Sequence, residues 1–403
     1  MKTLKFLHLA DLHLDRPLNG GRLKLPYEKA QKRAREAREA LVQTVDLAHR
    51  EEVGIILIAG DLWEEDSLAP DSVQFVMETL GRAGMPVVIA PGNHDYYSPS
   101  SHYSDEIVNA RYGRRWPENV HIFRDYDFAH FQPPGLDGLQ VVGLAYRSNQ
   151  AVSVRKLSES MILPDAELRI CLVHGSRDDN LPPGKLRTLP FSDAELLGQP
   201  FDYVALGHYH SRSAITDAKG KIRAAYPGST IATAADETGP HGVLIGELNS
   251  GGIAPEALTF HPLDPRQIYR LTLDVTGLKH TMAVESMIMK RLIEAQTGND
   301  DMALVELTGR FPLGSRIPFS EDFVRQARWH LKIDASKVQP EWEIEGETPS
   351  EPRTTEEFFR ARLNQQIQEA LGRGDDAEAI RLQNALYYGL DALHGAAINP
   401  RTG

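Results

Sequence analysis

The sequence predicts an α/β fold built on a parallel sheet, and three observations carry that expectation. Apolar runs of strand length recur at 4–9, 53–59 and 86–90, continuous enough to lie inside a covered sheet. Segments of helical spacing separate them, so the chain reads strand, helix, strand, helix, strand, a βαβ pattern with its loops gathered at one edge. Each strand-like run also ends in polar side chains: Asp11 and His13, Asp61, Asn93-His94-Asp95, His174, and His208 with His210. Open α/β sheets place their sites at such carboxyl ends. The stretch Val87-Val88-Ile89-Ala90-Pro91-Gly92-Asn93-His94-Asp95 shows this most plainly, an apolar run that breaks at Pro-Gly before three side chains able to ligate a metal or move a proton.

In chain order, the first strand is 4–9 and its terminal loop 10–15. Pro26 opens a helix to about residue 52, with Ala30, Ala34, Ala37, Leu41, Val45 and Ala48 at helical spacing. The basic residues Arg22, Lys24, Lys29, Lys32, Arg33, Arg35 and Arg38 suit either a solvated face or a surface that tracks phosphates. A helix near 71–82 returns the chain to the 86–90 strand. The following irregular stretch interleaves Tyr96, Tyr97, His102, Tyr103, Tyr112 and Trp116 with Arg111, Arg114 and Arg115, which suits nucleic-acid stacking or an ordinary packed loop. Segments 120–123, 139–146, 168–173 and 203–206 supply strands of a second sheet, 212–225 turns as a hairpin at Ala218-Lys219-Gly220, and 242–248 pairs with the segment ending at His261.

Composition shifts at Pro262-Leu263-Asp264-Pro265, which gives a first domain over 1–262 and a smaller α+β domain over 265–340. The smaller domain is read as strands at 268–275 and 302–308 with helices at 282–295 and 321–328. Residues 341–353 are acidic and carry proline, as a linker does. Two helices close the chain over 354–396, one with Phe359, Leu363, Ile367 and Leu371 on a face, the other with Leu382, Leu386, Leu390 and Leu393. Such a pair buries little alone and must pack on the body or on a partner.

At 403 residues the chain has room for two or three domains, and its 41% hydrophobic and 25% charged content is that of a globular protein. No apolar run reaches the roughly 20 residues of a membrane span, and no signal-peptide core opens the chain, so the expected compartment is the cytoplasm. The single cysteine, Cys171, excludes an internal disulfide and thiolate-rich metal sites, leaving nitrogen and oxygen ligands. A net charge of −12 argues against a stand-alone nucleic-acid binder, although bound cations would cancel several acids and 341–357 concentrates others away from the site.

Candidate ligands are Asp11, His13, Asp61, the amide oxygen of Asn93, His174, His208 and His210, a mixed set that suits manganese, iron or zinc. A pair of cations roughly 3.5–4 Å apart, bridged by one carboxylate, can hold both oxygens of an in-line displacement at phosphorus. Asp61, at the tight turn after Gly60, is the natural bridge. His94 stands beside the ligands as a proton donor to the leaving oxygen, and Asp95 is the candidate to orient its ring. The remaining histidines are read as surface or satisfied core residues.

The ordered set Asp11-Leu12-His13, Gly60-Asp61, Gly92-Asn93-His94-Asp95, Val173-His174-Gly175 and Gly207-His208-Tyr209-His210 resembles the calcineurin-like metallophosphoesterase superfamily, and within it the SbcD/YhaO-type DNA-repair exonucleases. The motifs cover residues 1 to about 260. The resemblance implies a four-layer αββα sandwich, a capping domain over 265–340 that shapes DNA access, and two manganese ions. One ion would be held by Asp11, His13, Asp61 and His210, the other by Asp61, Asn93, His174 and His208, with His94 acting on the phosphate. It also implies DNA as substrate and an SbcC-like ABC ATPase docked on the C-terminal helices, with a homodimer as a further assembly. Many relatives carry Asp where this chain has Glu64, a position outside the implied ligands.

Three functions follow from these features. The first is a metal-dependent DNA nuclease, an exonuclease with scope for endonuclease cutting, working in repair with the ATPase. The second is a phosphodiesterase or phosphatase for a small substrate, which the acidic balance favours and the added domain does not. The third is a non-catalytic DNA-end-binding subunit, which would have no use for His94 beside its metals.

Overall fold

The computed structural model describes residues 3–18, 23–150, 153–158, 164–178, 187–342 and 352–395. They belong to two compact units, Met1–Ile268 and Tyr269–Gly403.

The first unit contains β1 (Leu4–Leu9), α1 (Tyr27–Arg50), β2 (Ile55–Ile58), α2 (Pro70–Gly81), β3 (Val87–Ile89), α3 (Asp105–Tyr112), β4 (Val120–Ile122), β5 (Ala129–Phe131), β6 (Leu139–Gly143), β7 (Leu168–His174), α4 (Asp193–Leu197), β8 (Tyr203–Gly207), β9 (Ser213–Thr216), β10 (Ile222–Tyr226), β11 (Gly242–Leu248) and β12 (Leu258–Pro262). One sheet runs β12-β11-β1-β2-β3-β4 and the other β5-β6-β7-β8-β10-β9. The β1–β4 ladder is parallel throughout, as is β6–β7–β8. The hairpins read from the sequence are present as antiparallel β9–β10 and β11–β12 pairs.

Strand alternation sorts the apolar side chains into layers. Leu7, Leu9, Ile56, Ile58, Val87 and Ile89 face α1 and α2, while Leu4, Phe6, Ile55, Leu57 and Val88 face the second sheet. Val141, Ile170, Leu172 and Tyr203 meet them from across the interface. The opposite face of the second sheet buries Cys171, Val173 and Leu206 under Phe191, Leu196 and Phe201, around the short α4. The order is therefore αββα, with a thin fourth layer.

Two expectations change. The stretch after Asp95 contains α3, and its aromatics are largely packing residues: Trp63 and Tyr103 rings lie 4.3 Å apart, with Trp116 stacked beyond. Arg111 meets His102 and Arg114 pairs with Glu78, so this segment reads as a packed loop. In α1, Arg33 is buried rather than part of a basic face, and bonds Glu36 and Asp264 at 2.8 Å. Arg22 lies outside the described residues. Arg266 returns to Glu36 at 2.7 Å, and the first unit runs past Pro262 to Ile268.

The second unit holds β13 (Ile268–Asp274, its first residue in the first unit), α5 (Thr281–Glu294), β14 (Met302–Phe311), α6 (Glu321–Ala327), β15 (His330–Pro340), α7 (Thr355–Gly372) and α8 (Asp376–Leu393). Its sheet runs β13-β14-β15, and β15, unread in the sequence because Lys332, Asp334, Ser336 and Lys337 dilute its alternation, pairs parallel to β14. The expected linker falls mostly on 343–351, outside the described residues, as does 396. The helix pair packs through Ile367, Leu386 and Leu390, with Phe359 against Gly389, whereas Leu371 and Leu393 stay exposed. Asp391 ties α8 to this unit, accepting from Arg310 at 3.1 Å and from the Trp342 indole at 2.8 Å.

His8, on the inner face of β1, meets the Tyr203 hydroxyl at 3.0 Å across the sheets. Burial pushes it down to about 3 from an ordinary 6.5. The unfolded chain takes up a proton below pH 6.5 that the folded chain refuses, so this contribution is complete above 6.5 and is lost as the pH falls toward 3. The urea midpoint should therefore drop between about pH 7 and pH 5, and His8→Gln should remove a part of the slope worth about 1.4 kcal/mol per pH unit.

Candidate metal centre

The site forms where the carboxyl ends of β1, β2 and β3 meet those of β7 and β8. Asp11 (φ 52°), His13 (φ 50°), Asp61 (φ 53°) and His208 (φ 106°) all adopt left-handed backbone, a conformation that costs non-glycine residues about 1–3 kcal/mol each. The neighbouring loops hold it in place: Asp11 N–H donates to Gly60 O and His13 N–H to Asp61 O, both at 3.0 Å. Gly60 (φ 84°) and Gly92 make the approach possible, since a Cβ on Gly60 would lie 2.6 Å from His174 Nδ1 and one on Gly92 would collide with the Asp61 carboxylate.

Six of the predicted site residues, Asp11, His13, Asp61, His94, His174 and His210, converge. His174 Nε2 is 3.1 Å from Asp61 Oδ2, His13 Nε2 is 3.7 Å from the same oxygen, and His210 Nε2 is 3.7 Å from Asp11 Oδ1. The His208 ring sits edge-on to His174 with centroids 5.2 Å apart, and its backbone N–H donates to Asp11 at 3.0 Å. Three donor groups close enough to share one cation each occur among the described residues, namely Asp11/His13/His210, His13/Asp61/His94 and Asp11/Asp61/His174.

The hydrogen bonds behind the rings set which nitrogen faces inward. His13 Nδ1–H donates to Glu64 at 2.8 Å, His210 Nδ1–H to Glu237 at 2.6 Å, and His174 Nδ1–H to Ala59 O at 2.9 Å. Each Nε2 is left with its lone pair toward the cluster. His13 Nε2 and His210 Nε2 then face one another at 3.2 Å, an arrangement two lone pairs sustain only around a shared cation or proton. Asn93 Oδ1 is buried without a hydrogen-bond partner, and His174 Nε2 has the Asp61 carboxylate 3.1 Å away, as befits groups able to ligate a metal. The donor set, all nitrogen and oxygen, fits two divalent cations.

Asp95 does not orient His94. Its carboxylate accepts from the backbone N–H of Asp61, Leu62 and Gly92 and from the Tyr103 hydroxyl, so it shapes the turns that carry Asp61 and Asn93. The ring of His94 is held instead by Glu64 Oε2, 2.7 Å from Nδ1, and remains 41% exposed. Glu64 thus grips His13 and His94 with its two oxygens. Burial alone would raise its carboxyl, but bonds from the two imidazoles lower it from 4.5 to about 2. For His94 burial works against the charged form, yet the Glu64 bond and the Asp61 charge prevail and raise it above an ordinary histidine. Glu64 was visible in sequence only as an acid near the Asp61 turn, and Glu237 carried no signal, lying 27 residues beyond the ring it holds.

Comparison with known proteins finds relatives of the chain. The family description "Calcineurin-like phosphoesterase" matches residues 4–212. The uncharacterized metallophosphoesterase YhaO of Bacillus subtilis (strain 168) is 31% identical over 299 residues, 72% of this chain and 67% of that protein. A dimetal phosphatase from Danio rerio and the protein TT1561 of Thermus thermophilus are similar over 62% of this chain and 98% and 99% of their own, at 14% identity and TM-scores of 0.37 and 0.34.

Asp95→Ala strips the acceptor from four donors inside the fold. It should lower the stability of the first unit by about 2–4 kcal/mol in urea unfolding, while Asp95→Asn, which keeps part of the acceptor, should cost less.

Proposed function

The chain belongs to the calcineurin-like phosphoesterase family, metal-dependent phosphoester hydrolases, and from that premise we propose that it is a DNA nuclease. The observation that carries the phosphodiester reading is the pairing of a buried cluster of inward-facing nitrogen and oxygen atoms with one half-exposed, carboxylate-held imidazole, His94. A polymeric substrate is supported by the second compact unit and by the resemblance, read from the sequence, of the ordered motifs to SbcD/YhaO-type proteins.

In this reading Asp11, His13, Asp61 and His210 would hold one cation, and Asp61, Asn93, His174 and His208 the other. When bound, two divalent cations, manganese in this proposal, would supply Lewis acidity that offsets the charge developing on phosphorus. His94 presents Nε2 to the substrate and gives its proton to the leaving oxygen. Glu64 keeps the ring in place and favours its protonated form, while Asp95 holds the turns of Asp61 and Asn93 in register. The exposed Phe358, Leu371, Ile380 and Leu393 on α7 and α8 suit docking of an SbcC-like ATPase, and the setting would be cytoplasmic DNA repair. No helix among the described residues is long and apolar enough to cross a membrane. A small-substrate phosphodiesterase is the second reading, favoured by the net charge of −12.

Linear duplex DNA with manganese should be cut. His94→Ala should lower turnover by about 100-fold or more with cation binding retained, whereas Asp61→Ala should lose both. DNA left intact under several metals with the ATPase present, beside continued turnover of bis(p-nitrophenyl) phosphate, would move the assignment to the small substrate. Inhibition of that turnover by duplex DNA, weakening steeply with salt, supports the nuclease.

A further inference from the structure

The rings that converge on the centre are not held alike. His13 and His210 each lean on a carboxylate, Glu64 and Glu237, whereas His174 leans on the neutral carbonyl of Ala59. Glu237 is itself built in: buried, it accepts from the Ser229 hydroxyl at 3.1 Å and from the Thr233 N–H at 2.8 Å and hydroxyl at 3.3 Å. It therefore cannot turn away from His210 without undoing the segment after β10.

An anion behind an imidazole makes the far nitrogen a stronger donor and adds attraction for a cation beyond it. The cluster of Asp11, His13 and His210 collects two such anions in addition to its own carboxylate. The other cluster offers the shared Asp61, the neutral amide of Asn93, the carbonyl-backed His174 and His208, so at most one of its two rings has an anion behind it. We propose that the two cation positions are unequal, that the one at Asp11, His13 and His210 fills first and holds more tightly, and that Glu237 is the positioning residue that sets this order. The inference rests on the two-cation site and not on the identity of the substrate.

The test is titration of the metal-stripped full chain with Mn(II), following free ion by electron paramagnetic resonance and heat by calorimetry. Two steps at least about tenfold apart in Kd are expected. His174→Ala should abolish the weaker step and leave the tighter one. Glu237→Gln should weaken the tighter step by about 10–100-fold and leave the weaker nearly unchanged, with Glu237→Asp restoring part of the difference. Glu64→Gln, which acts through His13 on the same position, should move the same step and provides the reading if Glu237→Gln does not fold. Two indistinguishable steps, or Glu237 and Glu64 variants that weaken both steps equally or neither, would overturn the proposal. Because no phosphoester enters the titration, DNA left uncut would not bear on it.

Discussion

How closely the two sheets approach at their carboxyl edge governs the rest of the centre. A Cβ on Gly207, at the end of β8, would strike the carbonyl oxygen of Ala59 at the end of β2, so only glycine permits the contact. At that distance His174 Nδ1–H reaches Ala59 O, and the His208 N–H reaches the Asp11 carboxylate from the opposite sheet. Nitrogen and oxygen donor atoms from both sheets then enclose one small volume, and the apolar interface of Phe6, Leu57 and Val88 against Val141, Leu172 and Tyr203 keeps it closed. The left-handed turns at Asp11, His13, Asp61 and His208 are tolerated because that interface over-determines them.

Within this frame polarity is assigned from behind. Carboxylates and a carbonyl take the Nδ1 protons of three rings, so Nε2 faces the same way in each. Glu64 serves two purposes with one group, since its oxygens hold both a ring inside the cluster and the more exposed His94. A longer side chain than Asp at this position lets one carboxylate span two histidines whose centroids lie 4.9 Å apart.

Much of this was legible in the sequence for a physical reason. Parallel strands covered on both faces are continuous apolar runs, and the polar residues that follow them must lie at one edge; hence Asp11, His13, Asp61, Asn93, His174, His208 and His210 could be grouped before any coordinates. What escaped was whatever lacks periodicity. Lys332, Asp334 and Ser336 hide β15, and α3 is a short helix after a loop rich in aromatics. The carboxylate that holds His94 is Glu64 and not the neighbouring Asp95, because adjacency in sequence says nothing about which acid the turn aims at the ring. Glu237 had no local signature, since its role depends on the chain returning past His210.

Cys171 lies on β7 three residues before His174, sealed beneath the outer layer of the second sheet, where burial pushes its thiol well up. Oxidants and alkylating reagents reach that sulfur only after β7 has parted from its neighbours, by which time His174 has left the cluster as well. Thiol damage in this protein is thus a consequence of unfolding rather than a switch acting on the folded enzyme.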